Sequence, residues 1–328
     1  MLPFGQTGTD TSSSLAMAHH AGLLGRGVDV RVQATDPVAA KTALDSIVAE
    51  IIRLERTLLS AGDDTAFHAW LAGTSAKTDS DLVHLLGLTD HWNRATGGWF
   101  NPRIGVLVER WRQAERDGAP PDDDELASLA RFARRPAMEI VGGVPVPTED
   151  MDGFGVADLT RGFIVDRAVD SVVNDEGLTH PELLANGGHV LSALVSSGGR
   201  VTGRGSISNR VGIANPHRPF RDEPPLGMIT LNNQAIATST AHNDGFRVGR
   251  QWFSTLIDPH TGKPNEHTFS VTAVAPDLVA AEVIATAAAA RPPEEAIQWL
   301  ESLDDVEGLV IDREAARLTT SGWQGTFN

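Results

Sequence analysis

The sequence contains no cysteine. Disulfides, thiolate nucleophiles, iron–sulfur clusters and thiolate zinc sites are therefore excluded, as is a lipid anchor that needs an acceptor cysteine. No run of about 18 apolar residues exists, so no membrane-spanning helix is expected. The start, Met1-Leu2-Pro3-Phe4-Gly5, has neither a basic segment nor an apolar core. A signal peptide is not indicated, and a cytoplasmic location is expected. Positive charge is scarce: 27 Lys and Arg stand against 43 Asp and Glu, for a formal net charge of −16. Such a chain repels polyanions, so neither nucleic acid nor an anionic membrane is expected as a partner. The acidity is spread along the chain, with one dense run at Asp122-Asp123-Asp124-Glu125. That run reads as a solvated loop leading into a helix rather than as a metal site.

What is present suffices for a well-buried core. The 328 residues fit one large domain or two intimately packed lobes. Residues 1–20 are rich in Thr, Ser and Gly and read as a loose tail, with one two-lobed domain over 21–328. Val28, Val30 and Val32 alternate with polar residues, as in a half-buried strand. Asp36-Pro37 supplies an N-cap and a first-turn proline, and Leu44, Ile47, Val48, Ile51 and Leu58 follow at helical spacing. A second helix is expected from Ser80 to Thr96, ending at Gly97-Gly98. Residues 115–150 carry prolines, glycines and acids around one short helix, which suggests a peripheral insertion. Further helices are expected over 160–174, over 277–290 and after Pro292-Pro293. Strands are expected at 229–231, 235–237, 270–275 and 308–312, with a hairpin or mobile loop in the Gly/Ser/Arg-rich stretch 196–210. Strands and helices mix without strict alternation, so the expected class is α+β rather than a doubly wound sheet.

Several polar or glycine-rich turns adjoin these elements, each weak alone. Small residues let a backbone approach a ligand, and amides at a helix start favour phosphate. Glu282 and Thr286 stand four residues apart, so both oxygens share one helix face. Hard oxygens of this kind suit a magnesium ion bridging phosphates.

In order along the chain these segments are Leu24-Gly25-Arg26, Ser60 to Thr65, and Phe100-Asn101-Pro102-Arg103-Ile104-Gly105. Then come Thr160-Arg161-Gly162-Phe163-Ile164-Val165-Asp166, Asn186-Gly187-Gly188-His189 and Ala235-Ile236-Ala237-Thr238-Ser239-Thr240. The last two are Thr255-Leu256-Ile257-Asp258-Pro259-His260-Thr261-Gly262-Lys263-Pro264 and Ala281-Glu282-Val283-Ile284-Ala285-Thr286-Ala287. The ordered set resembles the signatures of the ApbE family, the FAD:protein FMN transferases, from about residue 20 to 325. The resemblance implies a two-lobed α+β fold with mixed sheets and flanking helices. It implies binding of FAD, or FMN, in a cleft, with magnesium offsetting the pyrophosphate charge. It also implies transfer of FMN to a Thr or Ser hydroxyl of an acceptor protein, with release of AMP.

Carried over by motif, the flavin nucleotide would be held by Gly25, Trp99, Phe100, Asn101, Asp158, Arg161, Gly187, Gly188, Thr238 and Ser239. Magnesium would fall to Glu282, Thr286 and Ala281, with Asp258 nearby. Candidate catalytic positions are Arg161, Thr255, Asp258 and His242. Several positions depart from the family pattern. Arg161 replaces a lysine, Glu282 an aspartate, and Thr255 the histidine that precedes Ile-Asp-Pro and is a candidate general base. His242 and His260 are the nearby imidazoles that could substitute. Thr240 replaces a glycine and His189 an aspartate. No Asp-x-x-Ser/Thr-Gly-Ala-Thr acceptor sequence occurs, so self-flavinylation is not indicated. At this point a transferase, a flavin-binding homologue without transfer, and a relative without flavin all stay open.

Overall fold

A computed structural model describes residues 13–59, 65–73, 79–174, 179, 188–218, 224–241 and 245–328. In chain order the first elements are β1 (Ser14–His20), β2 (Val28–Ala34), α1 (Pro37–Leu58), α2 (Ala66–Leu71) and α3 (Ser80–Ala95). They are followed by α4 (Gly105–Asp117), α5 (Asp123–Ala133), the hairpin β3 (Met138–Val141) and β4 (Val144–Pro147), and α6 (Ala157–Asp170). Next come β5 (Val190–Ser197), β6 (Arg200–Arg204), β7 (Asn209–Ile213), β8 (Gly227–Leu231), β9 (Gln234–Thr240), β10 (Gly245–Val248) and β11 (Gln251–Ser254). The chain closes with β12 (Thr268–Ala275), α7 (Leu278–Ala289), α8 (Pro293–Glu301), β13 (Glu307–Asp312), β14 (Arg317–Thr319) and β15 (Thr326–Phe327).

Among the described residues, eight strands form one sheet in the order β1-β2-β5-β6-β9-β12-β13-β14. Every neighbouring pair in it is antiparallel. The antiparallel ladder and the helices packed on it give the expected α+β class. Helices α1, α6 and α7 contribute to the main core on that sheet. The local reasons are legible. Asp36 caps α1 by accepting from Ala39 N at 2.9 Å, with Pro37 in the first turn. Ile47, Ile51 and Leu54 then reach full burial at helical spacing. Each contributes about 1.5–3 kcal/mol of apolar transfer. In α7 the alanines are small enough to let the helix lie closely on β9 and β12, and Asp277 caps it through Ala280 N at 2.7 Å.

Two expectations need correction. Residues 14–20, expected in a loose tail, form edge strand β1, paired residue for residue with β2 from Ser14–Ala34 to His20–Val28. Its alanines and histidines carry little strand propensity, and Leu15 and Met17 stay exposed, so the pattern gave no alternation to read. The acidic run 122–125 is not a loop ahead of a helix. Asp122 is itself the N-cap of α5, accepting from Asp124 N at 2.8 Å, and the next three acids fill its first turn. Negative charge there complements the helix dipole. The α5 segment and the β3–β4 hairpin are also tied inward. Buried Arg103 bonds the main chain of Asp150, Thr148 Oγ1 at 3.2 Å and Pro136 O at 3.4 Å, and Trp70 Nε1 donates to Pro145 O at 2.8 Å.

Candidate active site

The hairpin between β5 and β6 turns at Gly198 and Gly199, both at positive φ of 56° and 88°, a conformation that glycine adopts without strain. The turn delivers Arg200 to the start of β6, against α7. There the Arg200 guanidinium forms an ion pair with the Glu282 carboxylate, the side chains being 17% and 6% exposed. Helix α6 closes over the same carboxylate. A Cβ at Gly162 would collide with the Glu282 carboxylate and lie in ordinary contact with the main chain of Leu278. The glycine beside Arg161 therefore leaves room for the Glu282 carboxylate between α6 and α7.

Arg161, one residue earlier, donates from Nε to Leu24 O at 3.2 Å. That anchors it to the turn at Leu24-Gly25, whose residues sit at φ 55° and 69°. The strained, buried Leu24 is held through its N–H to Glu55 Oε1 at 2.7 Å. Ser197 Oγ donates to Gly27 O at 3.0 Å, fixing the hairpin to the same turn.

Next to the ion pair is a recess of about 90 Å³ lined by Phe100, Leu159, Arg200, Ser239, Glu282 and Thr286, among others. Ser239 Oγ and Thr286 Oγ1 lie 3.0 Å apart at its wall, and Thr238 Oγ1 bonds Thr272 Oγ1 at 2.8 Å across the β9–β12 ladder. Asn101 follows Phe100 and is 6% exposed; its Oδ1 accepts from Arg103 N at 2.8 Å. Its Nδ2 has no partner among the described residues. A buried amide donor left in that state costs about 1–3 kcal/mol, which an incoming acceptor would recover.

The structure thus brings together Phe100, Thr238, Ser239, Glu282 and Thr286, while Arg161 is bonded to Leu24 O and Ala157 O and is not among the residues that line the recess. It does not bring in every sequence candidate. Trp99 does not line this recess. Its ring packs against His260, with centroids 4.6 Å apart, and under the Arg291 guanidinium at 4.4 Å. Asp258 lines a different cavity of about 490 Å³ with Trp111, Phe253, Lys263 and Asn265. Its carboxylate accepts from His260 N and Thr261 Oγ1, both at 2.8 Å, and so closes its own turn. Gly188 sits against the Asp36 N-cap of α1, at the far end of β5 from the Gly198-Gly199 turn. At about 3.3 Å per residue, eight-residue β5 separates the two by tens of ångströms. Thr255 lies half-buried between β11 and the Asp258 turn. Ala281 is fully buried in α7 and can offer only its main-chain carbonyl. Gly187, Asn186, Ser60 and His242 lie outside the described residues, as does the side chain of Asp158, a first-turn residue of α6.

Sequence reasoning missed Arg200, which stands in a Gly/Ser/Arg-rich stretch with no motif of its own. It also left Asp166 unassigned, although that residue ends the Arg161 segment. Asp166 Oδ2 accepts from Leu278 N at 2.8 Å and Val279 N at 3.0 Å, so one motif holds the start of the helix that carries the other.

The contact at Gly162 is testable. Gly162→Ala is expected to destabilise the protein by about 1–3 kcal/mol, as overpacking against a pinned neighbour does. Urea unfolding measures it. A variant as stable as the parent would mean that the Glu282 carboxylate is not pinned and moves aside.

The fold and site define a class: an antiparallel α+β protein with a small charged recess built from four separated motifs. The chain belongs to the ApbE family, whose sequence profile matches residues 24–310. It is similar to the FAD:protein FMN transferase of Treponema pallidum, with 26% identity over 308 residues, covering 86% of this chain and 80% of that protein. The FAD:protein FMN transferase of Escherichia coli is 32% identical over 108 residues, 31% of this chain and 30% of that protein. Among solved structures, the ApbE protein of Thermotoga maritima matches with a TM-score of 0.72 at 17% identity, over 94% of this chain and 97% of its own. The flavin transferase ApbE of Vibrio cholerae matches with a TM-score of 0.68 at 18% identity, over 94% and 98%. These structural likenesses establish the fold. Among the described residues no helix is long and apolar enough to cross a membrane.

Proposed function

We propose that this protein is an FAD:protein FMN transferase, taking FAD as substrate and a Thr or Ser hydroxyl of a partner protein as acceptor. The observation that carries the reading is the recess where Arg200, Ser239 and Thr286 meet beside an apolar wall of Phe100 and Leu159. It suits the diphosphate of a dinucleotide, with the larger ring systems extending beyond it. In the reaction the acceptor oxygen attacks the phosphorus on the FMN side of the diphosphate. The bond from that phosphorus to the bridging oxygen breaks, AMP leaves with the electron pair, and the hydroxyl proton passes to a base or to water. Catalysis of this kind is mostly positioning and charge neutralisation, which guanidinium groups and hydroxyl donors supply.

Magnesium, expected at Glu282, Thr286 and Ala281, does not fit this donor set. Among the described residues no group of three or more His, Asp or Glu side chains could hold a metal ion. The one carboxylate is already covered by a guanidinium. A flavin-binding homologue without transfer is the less favoured reading, because the curated relatives above are transferases by name.

Isothermal titration with FAD and with FMN tests the binding half. FAD is expected to bind more tightly, because it alone brings a diphosphate to the Arg200 guanidinium and the hydroxyls beside it. A folded protein that gives no heat with either nucleotide contradicts the proposal.

A further inference from the structure

We propose that the Arg200 guanidinium takes the place of a divalent cation at Glu282, so that this chain holds a nucleotide diphosphate without metal. The inference rests on the nucleotide site proposed above. It starts from the ion pair itself. Glu282 sits on the inner face of α7 with only 6% exposure, and its contact is the cation from the neighbouring hairpin. Arginine is charged at every accessible pH, so this positive charge cannot be titrated away to admit an ion. A dication at the carboxylate would have to displace the guanidinium and leave it stranded against a charge of the same sign.

The remaining donors are also poor. Magnesium demands near-octahedral oxygen geometry and gives up its water reluctantly. The Ala281 carbonyl lies inside α7, where carbonyls accept helical hydrogen bonds. Among the described residues that line the recess, Glu282 alone carries a carboxylate. For a phosphate the same place is well made. The planar guanidinium fork matches phosphate oxygens two at a time. It is aimed by the carboxylate behind it and by the double-glycine turn that delivers it. Ser239 and Thr286 add hydroxyl donors on the same wall.

The extra methylene of Glu282 and the arrival of Arg200 then belong together. The longer side chain reaches the guanidinium, and the guanidinium replaces the ion. Gly162 is the third member, since any side chain there would push the carboxylate out of line.

Two measurements decide the matter. In the first, FAD affinity is compared by titration calorimetry with magnesium present and with excess chelator. The affinity is expected to be the same within a factor of about two, because a guanidinium pair needs no ion. A loss of about tenfold or more in chelator overturns the inference. Alongside it, the neutral pair Arg200→Gln/Glu282→Gln keeps the packing without burying a lone charge. It should melt like the parent yet bind FAD at least about tenfold more weakly in chelator. Unchanged affinity in that variant also overturns it.

The second measurement needs no nucleotide. Manganese ion is titrated into the ligand-free protein and followed by its electron paramagnetic resonance signal. No uptake dependent on Glu282 is expected. Manganese binding that disappears in Glu282→Gln refutes the cation replacement whether or not FAD binds. Absence of FAD binding in both buffers, with no manganese uptake, would instead leave the empty metal site in place and remove the transferase reading.

Discussion

Thr255→His is expected to raise the rate of FMN transfer by about a hundredfold, toward the lower end of what a positioned general base contributes. An attacking hydroxyl must lose its proton as the phosphorus bond forms, and neither Arg161 nor Arg200 can take it. A threonine hydroxyl cannot accept a proton near neutral pH, whereas an imidazole can. Among the described residues, the neighbouring carboxylate and one nitrogen of the neighbouring imidazole are engaged in local contacts. Asp258 accepts from His260 N and Thr261 Oγ1. The His260 Nε2 lies 3.2 Å from Gly97 O, and its ring packs on Trp99. The gain is to be read in single-turnover transfer followed by intact mass, with FAD affinity unchanged. The variant's rate should also rise with pH through about 6.5, the ordinary value for histidine. A rate equal to the parent's would show that the proton leaves by another route.

Asp166→Ala is expected to cost on the order of 3 kcal/mol of stability, because it strands several buried donors at once. Asp166 Oδ1 accepts from Thr202 Oγ1 at 3.1 Å, while Oδ2 takes the first two amides of α7. Loss of that anchor loosens the helix that carries Glu282 and Thr286, so FAD affinity should fall with it. The same residue gives a pH signature. Burial first, then the neighbouring Asp277 carboxylate, pushes the Asp166 carboxyl up from 3.8 to about 7, against the pull of Arg204 and the α7 amides. The folded state therefore holds this proton more tightly than the unfolded state does. The stabilisation from this group is full below pH 3.8 and is lost as pH rises through about 7. Asp166→Asn, which cannot ionise, should remove that dependence. Parent stability that rises relative to Asp166→Asn across the same window would reverse the sign and refute the assignment.

The fold was legible wherever periodicity and caps agreed. The valines of β2, the Asp36-Pro37 start of α1 and the Asp277 start of α7 each announce their element. Strand β1 was not legible, because its place depends on pairing with β2 rather than on its own residues. Helix α4 also escaped. It buries only Leu107, Trp111 and Ala114, a spacing visible in the sequence but masked by its many charges and by the preceding glycine.

The site was legible as a set of motifs and less so as an arrangement. Phe100, Ser239, Glu282 and Thr286 meet as the motif order implied. Gly188 and Asp258 do not, because a turn motif states its local shape and not its neighbours. Arg200 could not be foreseen at all. Its role comes from the geometry of a hairpin turn that carries it across to α7, a relation between segments more than 80 residues apart in the chain.

Transfer itself is tested most directly by mixing the protein with FAD and a purified acceptor of the ApbE family's substrates, then reading the acceptor's intact mass. The expected result is an acceptor heavier by one FMN on a Thr or Ser, formed slowly, with stoichiometric AMP released. An acceptor that stays unmodified with both the parent protein and Thr255→His, while FAD is bound, would contradict FMN transfer as the function.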